Sequence, residues 1–113
     1  MKDDRLYLNH IIECIGNIKR YLAGDENIFF DDDKTRDAVM RQLQIMSEST
    51  QRLSDECKTK MPEIEWHKIS AFRNAIVHDY LGDIDINLVF ESISKRLPEL
   101  KTAIARVLKE SEQ

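Results

Sequence analysis

Residues 86–107 read INLVFESISKRLPELKTAIARV, and their apolar side chains recur at alternating intervals of four and three positions. The residues that keep this alternation are Ile86, Phe90, Ile93, Leu97, Leu100, Ile104 and Val107. An α-helix places them in one continuous seam, as in a coiled coil, which predicts a long helix packed against other helices. Pro98 lies within this helix and lacks a backbone N–H, so we expect a kink or a division into two helices there.

Three further helices are predicted upstream from the same periodicity. Their approximate ranges are 4–22, 34–53 and 62–82. The candidate N-caps are Asp3 or Asp4 for the first helix, Asp32 or Asp33 for the second, and Asp83 or Asp85 for the last. Gly24 stands where the first helix should stop, and Pro62 suits the first turn of the third.

The segments between the helices are short, and some of their residues have two interpretations. Residues 25–33 form a predicted acidic loop, whose apolar residues 28–30 should pin it to the bundle rather than bind a partner. Residues 55–61 are a predicted polar turn. Arg36 is expected at the solvated surface. The alternative is that it contacts residues 72–80, which are described below. Trp66 is expected in the core or at a dimer contact.

Length and composition favour one all-α domain covering residues 1–113. The chain is 42% hydrophobic and 34% charged, which is typical of a globular protein. Only 3 Gly and 2 Pro are present, so little material is available for turns. Long helices joined by short connections predict an antiparallel up-down four-helix bundle.

Charge and cysteine content restrict the function classes. The net charge is -4 and the pI about 5.4, which disfavours a broad nucleic-acid surface and leaves room only for a local cationic groove or one assembled from two copies. Cys14 and Cys57 have no metal-ligand spacing and are predicted to be reduced thiols. No apolar run is long enough to span a membrane, and residues 1–4 do not resemble a signal peptide, so a cytoplasmic location is expected.

The reactive groups are concentrated in residues 72–80, FRNAIVHDY. His78 titrates near neutrality and can give or take a proton. Arg73 is permanently charged, and its planar fork fits a phosphate. Together they suit RNA cleavage by attack of the 2′-hydroxyl on the adjacent phosphate. Asn74 and Asp79 are candidate supporting residues, and Tyr80 offers a hydroxyl or a stacking surface.

Helical geometry limits how these residues can cooperate. Asn74 and His78 lie one turn apart on the same face, so Asn74 could fix the imidazole orientation. Arg73 and His78 are five positions apart, which separates them by about 140° around the axis. A site that uses both therefore needs the long Arg side chain, a loosened helix end, or a second copy of the chain.

Taken alone, these residues also have a structural interpretation. An Arg and a His close to a helix C-terminus are commonly a favourable cation and cap for the helix dipole. A metal site in the bundle is disfavoured, because His10, His67 and His78 do not form Glu-x-x-His pairs on facing helices.

The spacing Arg73, four residues, His78, one residue, Tyr80 resembles the R-x4-H-x-Y signature of HEPN-domain ribonucleases, specifically the HepT-like toxins. The resemblance extends over nearly the whole chain. It includes the segments 4–15, 36–39, 66–69 and 97–100. One departure occurs in the second helix, where many relatives have Ile-Gly-Glu-Ala. This chain has Ile-Met-Ser-Glu-Ser over residues 45–49, which keeps the acid as Glu48 and replaces the glycine with Ser47 or lacks it.

The resemblance implies a HEPN-like helical domain and a metal-independent endoribonuclease that acts as a homodimer and needs no cofactor. It implies that Arg73 and His78 are catalytic and that RNA, tRNA in some relatives, is the substrate. The partner it implies is an antitoxin, an MntA-type nucleotidyltransferase that attaches AMP to Tyr80. The alternative hypothesis is a non-catalytic helical module that docks or assists such a nucleotidyltransferase, with Arg73 only as a phosphate clamp.

Overall fold

A computed structural model describes residues 2–77 and 85–111, and within these ranges it contains six α-helices and no β-strand. The helices are α1 Lys2–Leu22, α2 Asn27–Asp31, α3 Asp33–Gln51, α4 Asp55–Thr59, α5 Trp66–Val77 and α6 Ile86–Ser111. The all-α prediction is confirmed. The four longer helices match the four predicted ones, and α2 and α4 are single-turn additions in segments predicted to be loop and turn.

The core is built mainly from α1, α3 and α6. Helix α1 packs along α3, α6 packs on α1, and α5 lies against α3. The seam of α6 is buried as predicted from Ile93 to Val107, but at its start Val89 takes the inward position while Ile86 and Phe90 are half-buried. Cys14 and Cys57 are buried free thiols.

Helix α6 runs across Pro98 as one element, so the predicted division into two helices is wrong, whereas the kink stays a prediction. Pro98 removes one hydrogen bond, the one that the carbonyl of Ser94 would have accepted. Both residues are exposed, so water can hydrate that carbonyl, and the buried residues on the opposite side hold the helix together.

The segment 25–33 is pinned to the bundle by its apolar residues, as predicted. Phe29 is fully buried, and the rings of Phe29 and Phe30 lie 5.5 Å and 5.2 Å from that of Phe90. Arg36 Nη1 donates to the carbonyl oxygens of Phe29 and Phe30 at 3.1 Å and 3.0 Å. Arg36 thus stabilises the end of α2, which neither interpretation of the sequence anticipated.

The third long helix starts four residues later than predicted, at Trp66 rather than Pro62. Residues 61–65 form a turn in which the Ile64 N–H donates to the Met61 carbonyl at 3.1 Å, with Ile64 itself buried. Arg106 of α6 holds this turn by pairing with Glu63 and by donating to the Lys60 carbonyl at 2.8 Å. These contacts outweigh the preference of Pro62 for a helix start.

The cap prediction is correct for α3 and wrong for α1. Asp32 caps α3, since its carboxylate accepts the Thr35 N–H at 3.3 Å. Asp4 instead lies within the first turn of α1, buried, where it accepts the Ser54 N–H at 2.7 Å and the Ser54 hydroxyl at 2.6 Å. Ser54 is in turn the N-cap of α4, so Asp4 fastens α4 to α1.

Replacing Asp4 with Ala is expected to lower the free energy of unfolding by about 2 kcal/mol, because Ser54 loses a charged acceptor. Burial raises the pKa of the Asp4 carboxyl, but the two bonds from Ser54 together with nearby positive charges, including Lys60, outweigh this and lower that pKa overall. The contribution is therefore present above the unfolded pKa of about 3.9 and is lost as pH falls through the folded value. Urea unfolding at neutral and acid pH measures it. Asp3→Ala, an exposed neighbour, is the control, and equal losses in the two variants would contradict the assignment.

Candidate active site

Arg73 and Asn74 lie on α5, a peripheral helix of the bundle. From Trp66 to Ile76 none of its side chains is fully buried, although α1, α3 and α6 each contribute several core residues. Its apolar residues Ile69 and Phe72 are half-buried and, with residues of α3 and α6, line a small cleft of about 80 Å³. Both side chains pack against the core of the bundle and remain partly open to solvent at this cleft.

Two polar contacts, one helical turn apart, fix α5 to α3. Gln51 Nε2 donates to Ser70 Oγ at 2.8 Å, and Arg73 binds Glu48. Between these two contacts on α3, Thr50 is buried and its hydroxyl donates to the Ser47 carbonyl at 2.6 Å. Many relatives have a glycine just before this acid, and Ser47 precedes it here. Ser47 is only 2% exposed, so the helix is closely packed at this point.

The guanidinium of Arg73 is held on one edge by a single oxygen of Glu48. Nε and Nη2 both donate to Glu48 Oε1, at 3.0 Å and 2.8 Å. Nη1 donates to Oδ1 of Asn74 at 3.2 Å. The Arg73 side chain is 32% exposed and that of Glu48 42%, so solvent reaches the pair.

This arrangement leaves donors for a ligand. A guanidinium has five N–H donors, and the contacts with described residues use three of them. One N–H of Nη1 and one of Nη2 remain, and each can donate to a phosphate oxygen. Arg73 can therefore bind a phosphate without first leaving Glu48.

The structure brings together only some of the predicted site residues. Asn74 contacts Arg73, whereas its predicted role was to orient His78. His78, Asp79 and Tyr80 lie outside the described residues, so their roles stay predictions. His67 is exposed, as expected for a surface residue.

Glu48 is the site residue that sequence reasoning missed. The family resemblance identified Glu48 only as an acid retained within residues 45–49 and predicted no role for it. Its pairing with Arg73 joins positions 25 residues apart, and helical periodicity within one segment does not specify such a contact. The one available signal was that an acid is kept in a run that otherwise departs from its relatives.

Within the described ranges, no group of three or more His, Cys, Asp or Glu side chains is arranged to hold a metal ion. In the same ranges no helix combines the length and the apolar character needed to cross a membrane.

Comparison with known proteins gives a consistent result. The family described as Ribonuclease HepT-like matches residues 11–107. The chain is 34% identical over 110 residues to "Gamma-glutamylcyclotransferase and putative RNase" of Methanocaldococcus jannaschii, covering 96% of this chain and 49% of that protein. It therefore spans about half the length of that relative.

Two other relatives are matched over nearly their whole length. "Putative RNase" of Caldanaerobacter subterraneus subsp. tengcongensis is 31% identical, with 96% of each chain covered. "Probable ribonuclease HepT" of Thermococcus cleftensis is 30% identical over 91% of this chain and 94% of its own. No solved structure matches the chain.

Proposed function

Because this chain belongs to the HepT-like ribonuclease family, we propose that it is a metal-independent endoribonuclease and the toxin of a toxin–antitoxin pair. Its substrate is RNA, with tRNA as one candidate. The observation that most supports this function is the state of Arg73, which is partly exposed, held on one edge, and left with two donors for a phosphate.

In the proposed reaction Arg73 binds the scissile phosphate and offsets the charge that builds up on its oxygens. The 2′-hydroxyl attacks the phosphorus, the bond from phosphorus to the 5′-oxygen breaks, and a 2′,3′-cyclic phosphate and a 5′-hydroxyl result. His78 moves a proton, either from the attacking hydroxyl or to the leaving oxygen. The other of these two protons is exchanged with water, and no metal ion takes part.

A homodimer would complete this site. Arg73 and His78 are separated by about 140° on a regular helix, so one subunit does not stack them directly. The half-buried apolar face of α5 suits a two-fold contact that brings Arg73 of one protomer towards His78 of its partner. The same contact would concentrate positive charge in a chain whose net charge is -4.

The cleavage assay tests this function directly. Purified protein incubated with total RNA in excess EDTA is expected to cleave it and to leave 2′,3′-cyclic phosphate ends, which end-group analysis detects. Cleavage that appears only on addition of a divalent ion would contradict metal independence. Absence of cleavage under both conditions would contradict the ribonuclease proposal and favour the docking module described below.

We further propose that a nucleotidyltransferase antitoxin of the MntA type silences the enzyme by AMPylation of Tyr80. The tyrosine oxygen attacks the α-phosphorus of ATP, a new O–P bond forms, pyrophosphate leaves, and the phenolic proton passes to solvent. The adduct adds a negative phosphate and a nucleoside two residues from His78. It would repel and obstruct the RNA backbone.

Co-expression with such a nucleotidyltransferase is expected to raise the mass of the toxin in steps of one AMP and to suppress RNA cleavage. Peptide mass spectrometry locates the adduct, and Tyr80→Phe is the control, since it lacks the acceptor oxygen. Adducts on other residues, or an unchanged mass together with full inhibition, would contradict this mode of silencing.

One observation favours a second function. The net charge of the chain is -4 and the Glu48 carboxylate lies beside Arg73, so a long RNA backbone is repelled more strongly than a single phosphate group would be. A non-catalytic module that docks or assists a nucleotidyltransferase would need Arg73 only as a clamp for one phosphate. It would not need His78, and this difference separates the two functions by experiment.

A further inference from the structure

We propose that Glu48 is a positioning residue for Arg73, which it orients so that the free edge of the guanidinium faces the RNA phosphate. This inference rests on the proposed ribonuclease function and adds a residue to its site. Three observations carry it: the geometry of the contact, its place between two helices, and the exposure of the pair.

The contact restrains the rotation of the guanidinium. Nε and Nη2 converge on the same Glu48 oxygen at 3.0 Å and 2.8 Å, which fixes the plane of the fork more firmly than one bond would. The Asn74 amide oxygen accepts from Nη1 at 3.2 Å and restrains the second side. What remains is one N–H on each terminal nitrogen, and both can donate to phosphate oxygens.

The restraint comes from a different helix. Glu48 lies on α3 and Arg73 on α5, so the contact that orients the guanidinium crosses the interface between two helices. The position of the fork is thereby set by the bundle rather than by the rotamers of a long side chain. An arginine that is already ordered loses less entropy when it binds phosphate.

The exposure of the pair indicates that its role is not mainly structural. Glu48 is 42% exposed and Arg73 32% exposed, and exposed ion pairs add little to folding stability. Variants of Glu48 should therefore remain folded and allow a clean kinetic test. A competing interpretation is that Glu48 occupies Arg73 and lowers activity. It predicts that kcat rises in Glu48→Ala.

The kinetic test compares Glu48→Ala and Glu48→Gln with the wild type at saturating and subsaturating RNA. Glu48→Ala is expected to lower kcat about 10- to 100-fold, because the fork is no longer held at the phosphate. RNA binding should stay equal or tighten at low salt, since one negative charge is lost beside the site. Glu48→Gln keeps an acceptor oxygen and should recover part of kcat.

Two control variants isolate the effect. Gln51→Ala removes the neighbouring contact between α3 and α5 without touching Arg73. Glu91→Gln removes one negative charge from an exposed pair with Lys95 on another helix. Both should keep kcat close to that of the wild type. A kcat for Glu48→Ala equal to or above the wild type would overturn the inference.

A second measurement does not depend on cleavage. The NMR signal of the Arg73 Nε–H, assigned by its loss in Arg73→Lys, should exchange slowly with water in the wild type and rapidly in Glu48→Ala. Equal exchange in the two proteins would overturn the inference even if RNA is cleaved. If the wild type does not cleave RNA but the signal behaves as expected, the ribonuclease proposal fails and the orientation of Arg73 by Glu48 stands.

Discussion

Replacing His78 with Ala is expected to slow RNA cleavage by about 10²- to 10⁴-fold, the range for loss of a general acid or base. Among the side chains of the motif, only imidazole has an ordinary pKa near neutrality. Proton transfer to or from ribose oxygens needs such a group. Initial rates on a fluorogenic RNA in EDTA measure the effect.

His67→Ala is the matched control for His78→Ala. His67 is exposed on α5 and lies outside the motif, so the two variants lose the same chemical group at different places in the sequence. His67→Ala should keep the wild-type rate. Cleavage that survives in His78→Ala would remove His78 from the mechanism and leave the docking module as the better account.

Replacing Arg73 with Ala is expected to slow cleavage by about 10²- to 10³-fold, as for removal of a group that stabilises developing charge. Arg73→Lys keeps the positive charge but not the planar fork, so most of the loss should persist. The Glu48 carboxylate would also be left without its partner in Arg73→Ala, which adds a negative charge facing the RNA.

Arg41→Ala controls for the loss of one positive charge. Arg41 is exposed on α3, and its Nη1 donates to Gln44 at 3.2 Å. This variant should cleave RNA at close to the wild-type rate. In Arg73→Ala the dependence of RNA affinity on salt should also weaken by about one phosphate contact. Equal rates in Arg41→Ala and Arg73→Ala would show that Arg73 contributes only general charge.

Much of the fold could be predicted because the long helices have strong periodicity. The seam of α6 identified the longest helix, and Asp32 is the cap of α3 as expected from its residue type. The errors occur where tertiary contacts overrule local preference. Asp4 is a good helix cap by type, yet it is buried against Ser54, which lies 50 residues away.

The candidate site was only partly predictable for a similar reason. Arg73 and Asn74 follow from the motif, since their spacing is local. Glu48 depends on how α3 packs on α5, and a helical pattern fixes which face is apolar but not which polar residues meet across an interface. Arg36 shows the same limit, because its contacts with the carbonyls of α2 depend on a turn that composition alone does not define.

We propose that Arg73 of one subunit and His78 of its partner form one active site. A heterodimer of Arg73→Ala and His78→Ala subunits, co-expressed with two different tags and purified through both, tests it most directly. One of its two sites would then have both groups intact, so its cleavage rate should be about half that of the wild type. A heterodimer as inactive as either parent homodimer would contradict the claim.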